Sequence, residues 1–484
     1  MTLKKLKLFA ILYLFILISS CKIKTDKTIV PNTSPNVIYI NIDDLGYKDV
    51  GFMGSTYFET PHIDELASNG MIFTQGYASA ANCAPSRACL MSGQNTPRHG
   101  VYTVGTSERG AAIDRKIIPI KNTEHIADSL FTLARLFKKA GYKTGTFGKW
   151  HITEDPLKNG FDINIGGNSS GGPGKNGYFA PYNSKPNLER AKEGENLTDR
   201  LTEECIKFVE SNSKKPFFVY LPYYAVHTPL MGKEHLITKY KEKLSKKEGS
   251  NKAEYKTAVY AAMVENVDTN IGHLLKALDR LKLTENTLIL VTSDNGGIRA
   301  ISKQNPLRAG KGSYYEGGTR VPYIIKWTNK IKAGTVNKTP ITNLDFFPTF
   351  AELLKVDISE KVLDGVNILP LLNGNTIEKR PLFWHFPIYL QSYNKRVDDG
   401  RDALFRTRPG STVLYENWKL HHYFEDNGIE LYNLNDDLGE QNNIAEMNPT
   451  KVKELMKLLN SWRKEIKAPI PTKLNPTYNS SYEK

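Results

Sequence analysis

Four oxygen-bearing side chains stand just after two short apolar segments of the sequence. Asp43 and Asp44 follow the run VIYINI, and Asp294 and Asn295 follow the run TLILVT after one serine. Such runs are typical of buried strands, and open α/β sheets bind ligands at the carboxyl ends of their strands. Oxygen ligands without histidine suit a hard cation, calcium or magnesium, which would offset the repulsion among the carboxylates. The alternative for Asp43 and Asp44 is a helix cap or a turn.

The segment CAPSRACLMSG at residues 83–93 contains a second group with chemical potential, the thiol of Cys83. The alternative for Cys83 is a buried structural thiol, which is the usual fate of a lone cysteine. Cys89 and Cys205 have no comparable surroundings in the sequence. We predict that these two are buried free thiols.

Two lysines and two histidines complete the set of candidate residues. Lys149 and His151 end the segment GYKTGTFGKWH, and side chains two apart at a strand end point the same way and can share one pocket. His227 lies in AVHTP just beyond the strand-like run PFFVYL, and Lys311 lies in GKGS. Taken singly, each has a simpler explanation as an exposed lysine or a packed loop histidine.

Together these segments resemble the signatures of the type I sulfatases of the alkaline-phosphatase superfamily. C-x-P-S-R followed by L-x-x-G is similar to the maturation signature of that family, and GYKTGTFGKWH is similar to its G-Y-x-T-x-x-x-G-K-W-H element. The run ELYNLNDDLGE at residues 430–440 resembles the family's closing E-L-Y-D-L-x-x-D-P-x-E, with Leu438 in place of the usual proline. The resemblance extends from about Asn36 to Ile466.

The resemblance implies a modified residue and a metal ion. Cys83 would be oxidised to formylglycine by a formylglycine-generating maturase, and the hydrated aldehyde would supply the nucleophile. An oxygen of that residue would bind one calcium ion, with magnesium less favoured, together with the side chains of Asp43, Asp44, Asp294 and Asn295.

The resemblance also assigns roles to the basic residues. Arg87 matches the arginine that braces the formylglycine, and Lys149, Lys311 and His227 match residues that contact the sulfate. Such positive groups, with His227 included when it is protonated, would stabilise the charge of the transition state. We expect His227 or Lys311 to protonate the departing oxygen. His151 would then take the proton from the second hydroxyl, so that the aldehyde reforms and sulfate leaves.

The expected substrate is a sulfated polysaccharide or oligosaccharide. Lysine and arginine number 65 against 51 aspartates and glutamates, and this net charge of +14 favours an anionic polymer. Exported sulfatases that this chain resembles usually degrade sulfated glycans, such as the algal ulvan, carrageenan or fucoidan, or host glycosaminoglycans. We predict substrate contacts for His99, Arg308, Tyr314, Tyr315 and His385, although a structural role is as plausible for His99.

Other functions stay open at this point. A phosphonate or phosphate ester hydrolase of the same superfamily would use similar groups, but its metal site would tend towards aspartate and histidine. A non-catalytic glycan-binding homologue of a sulfatase would have no need of Cys83. Nucleic acid is not an expected partner, because the sequence has no basic helix and no aromatic–basic repeat.

The elements that must position these residues alternate between strands and helices. Strand-like runs, among them residues 216–221, are separated by helical patterns at residues 133–140 and about 254–281. This alternation predicts an α/β fold with a large, mostly parallel or mixed central sheet flanked by helices. The resemblance implies that this sheet is alkaline-phosphatase-like.

The pattern changes from about Leu371. Short strand-like runs and one amphipathic helix predict a small C-terminal antiparallel sheet with a packed helix; they lie at residues 382–386, 412–415, 418–424, 430–434 and 449–466. We therefore divide the chain from residue 36 onwards into a catalytic domain at 36–370, a C-terminal α+β subdomain at 371–467 and a flexible tail at 468–484.

The first residues predict export. A lysine-rich start precedes the apolar run LFAILYLFILI, which is too short for a membrane span and is typical of a signal peptide. The following ISSC resembles a bacterial lipobox, which implies that Cys21 is lipidated. We expect a signal peptide at 1–20, a tether at 21–35, and a lipoprotein held at a membrane in the periplasm or at the cell surface. An ordinary signal peptide or a short membrane anchor is the alternative.

Composition sets the outer limits. The chain has 484 residues, of which 40% are hydrophobic and 24% charged, and this balance is that of a globular protein. Collagen-like, coiled-coil and wholly disordered chains are excluded. With four cysteines, the chain is not a disulfide scaffold.

Overall fold

The structure is a computed structural model, and it describes residues 34–479 apart from residues 183, 190 and 247–251. The predicted signal peptide, the lipidated Cys21 and most of the tether lie outside the described residues. From Ser34 onwards the chain forms one compact unit. Within the described ranges, no helix combines the length and the apolar character needed to cross a membrane.

The strands, numbered in chain order, have these bounds: β1 Asn36–Ile42, β2 Met71–Phe73, β3 Gly76–Tyr77, β4 Lys143–Phe147, β5 Ile163–Ile165, β6 Phe217–Tyr223, β7 Thr287–Ser293, β8 Tyr323–Trp327, β9 Thr335–Asn337, β10 Ile341–Thr342, β11 Leu382–Phe386, β12 Leu390–Gln391, β13 Phe405–Thr407, β14 Gly410–Tyr415, β15 Trp418–Tyr423 and β16 Ile429–Asn433.

The α-helices have these bounds: α1 Pro61–Ser68, α2 Cys83–Ser92, α3 Thr96–His99, α4 Leu133–Lys139, α5 Leu197–Ser211, α6 Glu234–Ser245, α7 Lys252–Arg280, α8 Glu316–Thr319, α9 Phe346–Leu354, α10 Leu369–Leu372 and α11 Pro449–Glu465. Short 3₁₀ turns lie at Gly51–Met53, Ala112–Asp114, Pro156–Asn159, Thr284–Asn286 and Asn343–Asp345.

The central sheet has eight strands in the order β5-β4-β6-β1-β7-β8-β2-β9. The five strands from β5 to β7 run parallel, β8 is antiparallel to both β7 and β2, and β9 is parallel to β2. Strands β1, β6 and β7 are buried along their whole length, as continuous apolar strands of a doubly covered sheet are. The predicted α/β class is confirmed.

Apolar clusters cover both faces of this sheet. Ile38 packs into one cluster and the next residue, Tyr39, into another, because successive side chains of a strand point to opposite faces. Helix α7 adds Ile271 to the first cluster, and α4 adds Phe137 to the second. Full burial of such a side chain contributes about 1.5–3 kcal/mol, so these clusters hold the strands, and the edge at which they end, in place.

The C-terminal part contains the predicted antiparallel sheet, in the order β11-β14-β15-β16. Helix α11 packs on one face of it, where Leu455 and Leu459 join Val413 and Leu420 in a buried cluster. On the other side, a buried ionic group binds this sheet to α8. Lys419 Nζ lies 2.8 Å from Glu316 Oε1, and all atoms of both side chains are buried.

The segment after Ala468 differs from the flexible tail that we predicted. Ile118 N donates a 2.8 Å hydrogen bond to the carbonyl of Lys473, and Asn475 N donates a 3.0 Å bond to that of Lys116. We predicted fraying from the polar composition of this segment. Its backbone instead forms hydrogen bonds with the irregular segment near residue 115. Residues 480–484 lie outside the described ranges.

Candidate active site

The register of β1 and β7 brings the four predicted oxygen ligands together. The two strands are parallel and their last residues are paired, so Asp43 and Asp44 leave the sheet beside Asp294 and Asn295. All four side chains are buried, and carboxylate oxygens of the three aspartates lie within 4.8 Å of one another. Asn295 Nδ2 donates a 2.8 Å hydrogen bond to Asp44 Oδ1.

Two buried lysines neutralise two of these carboxylates. Lys149 follows β4 and its Nζ lies 2.6 Å from Asp43 Oδ2. Lys311 comes from the glycine-rich segment before α8, and its Nζ lies 2.7 Å from Asp44 Oδ2. Burial raises the pKa of Asp43 to about 7, against the opposing effect of Lys149. Burial also acts on Asp44, but Lys311 lowers the pKa of that carboxyl below its ordinary value.

Helix α2 carries Cys83 to the same place. Cys83 is its first residue, is 1% exposed, and has its Sγ 3.8 Å from Asp44 Oδ1. Arg87 lies one turn further on the same helix face. Its Nε donates a 2.8 Å hydrogen bond to Asp294 Oδ2, and its Nη1 a 2.7 Å bond to the carbonyl of Lys149. Arg87 therefore ties the helix that bears Cys83 to the ends of β4 and β7.

The donor set fits a divalent cation. Asp43 Oδ1 and Asn295 Oδ1 are buried and have no hydrogen-bond partner among the described residues, although Arg87 Nη2 lies 3.6 Å from Asp43 Oδ1. A buried polar atom left unpaired costs about 1–3 kcal/mol, and a cation would remove that cost at both atoms. Asp43, Asp44, Asp294 and Asn295 supply only oxygen ligands, which is the chemistry of a calcium or magnesium site. The residues present thus fit the cation that the sequence predicts.

His151 is a neutral base beside these groups. It follows β4 in the left-handed region at φ 69°, and its backbone N donates a 2.9 Å bond to the carbonyl of Asn168. Burial lowers the pKa of its imidazole well below the ordinary value, and Lys149 acts in the same direction. Its Nδ1 is buried without a hydrogen-bond partner among the described residues, which makes this nitrogen the candidate proton acceptor.

His227 is also neutral. Its Nδ1 lies 2.6 Å from the carbonyl of Thr228 and therefore carries the proton, which leaves Nε2, 3.8 Å from Asp44 Oδ2, with a free lone pair. Burial, followed by Lys311, lowers the pKa of His227 to about 3. At neutral pH His227 therefore lacks the positive charge that we considered for its protonated form.

Two predicted substrate residues, His99 and His385, have structural contacts. His99 Nε2 lies 3.5 Å from Cys89 Sγ, and its Nδ1 accepts a 3.1 Å hydrogen bond from the backbone N of Val101. His385 is 1% exposed, with Nδ1 2.7 Å from the Ser411 hydroxyl and Nε2 3.0 Å from a backbone carbonyl. With both ring nitrogens occupied, His385 offers no polar atom to a ligand. Cys89 and Cys205 are buried free thiols, as predicted.

The other three predicted substrate residues join the central and C-terminal sheets. The Arg308 guanidinium lies 3.9 Å from the ring centroid of Tyr315 and donates to three backbone carbonyls at 2.9–3.2 Å. The Tyr315 hydroxyl donates a 2.6 Å bond to Glu430, and Tyr314 stacks on Phe386 with 3.9 Å between centroids. The segment that contains these three residues is a packed junction, apart from Lys311.

Sequence reasoning missed two basic residues near the site. Lys185 Nζ donates a 2.8 Å bond to the Tyr224 hydroxyl, and burial, with Lys149, lowers the pKa of Lys185 to about 7. Arg406 Nη1 donates a 2.7 Å bond to the carbonyl of Lys311. Both lie in or beside irregular segments without a periodic pattern, so their sequence surroundings contain no signal that marks them.

The fold and the site define a class. On an alkaline-phosphatase-like fold, the carboxyl edge of a mostly parallel sheet carries an oxygen cluster that could bind a cation, a buried cysteine at a helix N-terminus and two lysines. This combination is typical of a hydrolase for anionic esters. The family model for sulfatases matches residues 35–356, and that for the N-sulphoglucosamine sulphohydrolase C-terminal region matches residues 310–467. The chain belongs to the sulfatase family, and it is a sulfuric ester hydrolase.

Individual proteins support this assignment. The chain is 33% identical to a sulfatase of Formosa agariphila over 509 residues, covering 90% of this chain and 88% of that protein. It is 28% identical to an N-acetylgalactosamine-6-O-sulfatase of Bacteroides thetaiotaomicron, covering 92% and 96%. The crystal structure of Ps i-CgsB superposes with a TM-score of 0.73 at 28% identity, covering 93% of this chain and 96% of that one.

Proposed function

We propose that this protein hydrolyses sulfate esters of a sulfated polysaccharide or oligosaccharide, using a formylglycine made from Cys83 and a bound calcium ion. The observation that carries the proposal is the position of Cys83. Its sulfur lies 3.8 Å from Asp44, which is paired with Lys311 at 2.7 Å. A nucleophile at this point would meet an ester held among a cation and two lysines.

Modification of Cys83 is proposed because the unmodified thiol is a poor nucleophile. Burial raises its pKa to about 12, so the thiol is protonated at neutral pH. Oxidation of the side chain to an aldehyde, followed by hydration, would put two hydroxyl groups in its place. The segment CAPSR supports this step, since it resembles the signature on which formylglycine-generating maturases act.

The proposed reaction has two steps. One hydroxyl of the hydrate gives its proton to the neighbouring carboxylate of Asp44 and its oxygen attacks the sulfur atom, while the bond from sulfur to the glycan oxygen breaks and that oxygen takes a proton from the enzyme. Lys311 is the proposed proton donor, because its ammonium holds a proton at neutral pH whereas Nε2 of the neutral His227 has a free lone pair. His151 then removes the proton of the second hydroxyl. The C=O bond reforms and the bond from carbon to the sulfate oxygen breaks, so that sulfate leaves with its electron pair.

The cation would be held by Asp43, Asp44, Asp294 and Asn295. When bound, it supplies positive charge that activates the hydrate and offsets the charge of the sulfate. Calcium is favoured over magnesium because magnesium usually keeps several waters and takes only one or two carboxylates. Here the four side chains are at most 2% exposed and three of them are carboxylates.

A glycan is the proposed substrate because several relatives are named for sulfated sugars, although a human steryl-sulfatase is also similar, at 28% identity over 71% of this chain and 70% of that protein. The chain resembles N-acetylgalactosamine-6-sulfatases, among them the human protein at 30% identity over 72% of this chain and 68% of that one. It also resembles Ps i-CgsB in complex with k-i-k-neocarrahexaose, with a TM-score of 0.71 at 29% identity, covering 89% of this chain and 92% of that one. An algal polysaccharide such as carrageenan, ulvan or fucoidan is proposed first, and a glycosaminoglycan second.

Export as a lipoprotein is part of the proposal. It rests on the lysine-rich start, the apolar run and the ISSC ending at Cys21. Lipid on Cys21 would hold the enzyme at a membrane, in the periplasm or at the cell surface. Incorporation of labelled palmitate in the wild type but not in Cys21→Ala would support this location, and equal labelling or none would contradict it.

The decisive experiment compares the wild type with Cys83→Ala, each co-expressed with a formylglycine-generating maturase and assayed with calcium. Substrates are carrageenan, ulvan, fucoidan and chondroitin sulfate fragments, with phosphate and phosphonate esters beside them. We expect sulfate release by the wild type alone, and intact mass should show conversion of Cys83. Sulfate release by Cys83→Ala would contradict the proposal. Release of phosphate alone would favour the phosphoester hydrolase. An inactive protein with unconverted Cys83 would favour the glycan-binding homologue.

A further inference from the structure

Arg406, on β13, is a buried cation without an ion-pair partner. It is 5% exposed, and its guanidinium donates to the backbone carbonyls of Lys311 at 2.7 Å and Gln391 at 3.0 Å and also forms a hydrogen bond with Tyr393. No carboxylate among the described residues forms an ion pair with it, whereas its neighbour Arg408 has two such partners. Burial lowers the pKa of Arg406, and Asp398 opposes this only from beyond ion-pair distance. A charge kept in this state is costly unless a ligand uses it.

Tyr393 stacks on one face of this cation. The ring centroid of Tyr393 lies 3.5 Å from the central carbon of the Arg406 guanidinium, and the side chain is 53% exposed, one of the few large apolar-bodied side chains that the described surface leaves open. An exposed aromatic ring is a stacking surface for a sugar. Stacking on Arg406 also fixes the ring, which lowers the entropy cost of binding.

Both residues lie close to Lys311, which is proposed to contact the sulfate. Arg406 contacts the backbone of Lys311, and the side chain of Lys311 reaches Asp44 at 2.7 Å. Tyr393 is also among the groups that act electrostatically on the Lys311 ammonium. Half-buried Arg109 adds a second positive charge that acts on Arg406. Positive charge thus continues from the catalytic lysine to the surface.

We propose that Arg406 and Tyr393 form a subsite for a second anionic group of the substrate, a sulfate or a carboxylate on the same sugar or its neighbour. The inference rests on the proposed function and names the substrate class more closely, as a glycan with at least two negative charges near the scissile sulfate. The planar guanidinium suits either group, because it can donate two parallel hydrogen bonds to a pair of oxygens. Tyr393 would support the ring that carries the group.

A purely structural role for Arg406 makes a different prediction. Its hydrogen bonds to the carbonyls of Lys311 and Gln391 hold the segment that contains Lys311 against β12. If that were its only role, a substitution would lower the rate for every substrate in equal proportion. A subsite, in contrast, makes the loss depend on whether the substrate carries the second anion.

The test measures kcat/KM of the wild type, Arg406→Gln and Tyr393→Ala on matched substrates. One set is N-acetylgalactosamine 6-sulfate, its 4,6-disulfate and an unsaturated chondroitin 6-sulfate disaccharide, which adds a carboxylate. The other is a pair of carrageenan oligosaccharides with one and with two sulfates per repeat. Arg396→Gln is the matched control, because it removes an exposed arginine from the same segment. Tyr393→Ala changes an exposed side chain, so it keeps the test valid if Arg406→Gln folds poorly.

We expect the wild type to prefer a doubly charged member of the set that it cleaves. Arg406→Gln should reduce that preference about 10- to 100-fold, which is the range for losing a charged hydrogen bond, and Tyr393→Ala should reduce it about 3- to 10-fold. Arg396→Gln should keep it. The member preferred identifies the anion as sulfate or carboxylate. Hydrolysis without preference, or equal losses on all members, would overturn the subsite while leaving the proposed function intact. Failure of the wild type on every glycan would overturn both.

Discussion

Replacing Arg87 with glutamine removes a buried charge from the centre of the site, and we expect a large loss of stability. Arg87 is 1% exposed, and both Nε and Nη2 lie 2.8 Å from Asp294 Oδ2. In the variant Asp294, which is 2% exposed, loses its cation. Breaking a buried pair on one side costs about 3–5 kcal/mol. The free energy of unfolding should therefore fall by about that amount when divalent cations are absent.

Calcium should offset part of this loss. The three carboxylates of the site face three basic side chains in the wild type, those of Lys149, Lys311 and Arg87. Without Arg87 the site has an excess negative charge and should bind calcium more tightly. At a concentration 100 times the Kd, a ligand stabilises the folded state by about 2.7 kcal/mol, and the gain should be larger in the variant than in the wild type.

Urea unfolding followed by tryptophan fluorescence, with chelator and with calcium, measures both effects. Lys379→Gln is the control, because its ion pair with Glu416 is exposed and should contribute nothing measurable. Arg87→Lys keeps the positive charge but lacks the forked donors of the guanidinium, so its free energy of unfolding should lie between those of the wild type and Arg87→Gln. Unfolding of Arg87→Gln within about 1 kcal/mol of the wild type in chelator, or a smaller gain from calcium in the variant, would refute the reasoning.

Three further results are expected. His151→Ala should accumulate a sulfated protein, seen as a mass increase after one exposure to substrate, and full turnover without accumulation would assign the base elsewhere. Chelation should abolish sulfate release, calcium should restore it better than magnesium, and equal activity in chelator would contradict a cation site. Burial lowers the pKa of His385 to about 3 from an unfolded value near 6.5, so its contribution to stability is present above pH 6.5 and is lost as pH falls towards 3, by on the order of 5 kcal/mol. His385→Asn should flatten that part of the stability–pH curve, and an unchanged slope would exclude His385 as its source.

The strands of the central sheet could be predicted because their signal is local. VIYINI and TLILVT are buried on both faces, so each run is apolar throughout and needs no partner to be recognised. The C-terminal strands and helix α11 were found in the same way, within a few residues of their observed bounds. The tail after Ala468 was not, since its hydrogen bonds depend on a segment more than 300 residues away.

The core of the site was also within reach of the sequence. Cys83 and Arg87, four residues apart, share one helix face, and Lys149 and His151 end one strand, so short spacings group them before any fold is known. Short spacings could not predict the ion pair between Asp44 and Lys311, because 267 residues separate these two residues. Only the parallel register and the path of the glycine-rich segment bring these two charges to 2.7 Å.

By itself, the sequence determined the class of fold, the position of the proposed nucleophile and the chemistry of the oxygen cluster, because strand periodicity and short motifs are local properties of the chain. Tertiary structure alone decided which charges pair, that His227 is neutral, and which of the candidate residues lie together. Arg308, Tyr315 and His385 have the residue types of a binding site, yet packing uses them within the protein. Arg406 and Tyr393 have no motif, and a long-range contact with the Lys311 backbone places them beside the catalytic groups. Burial and long-range contacts fix these outcomes, and no short stretch of sequence contains them.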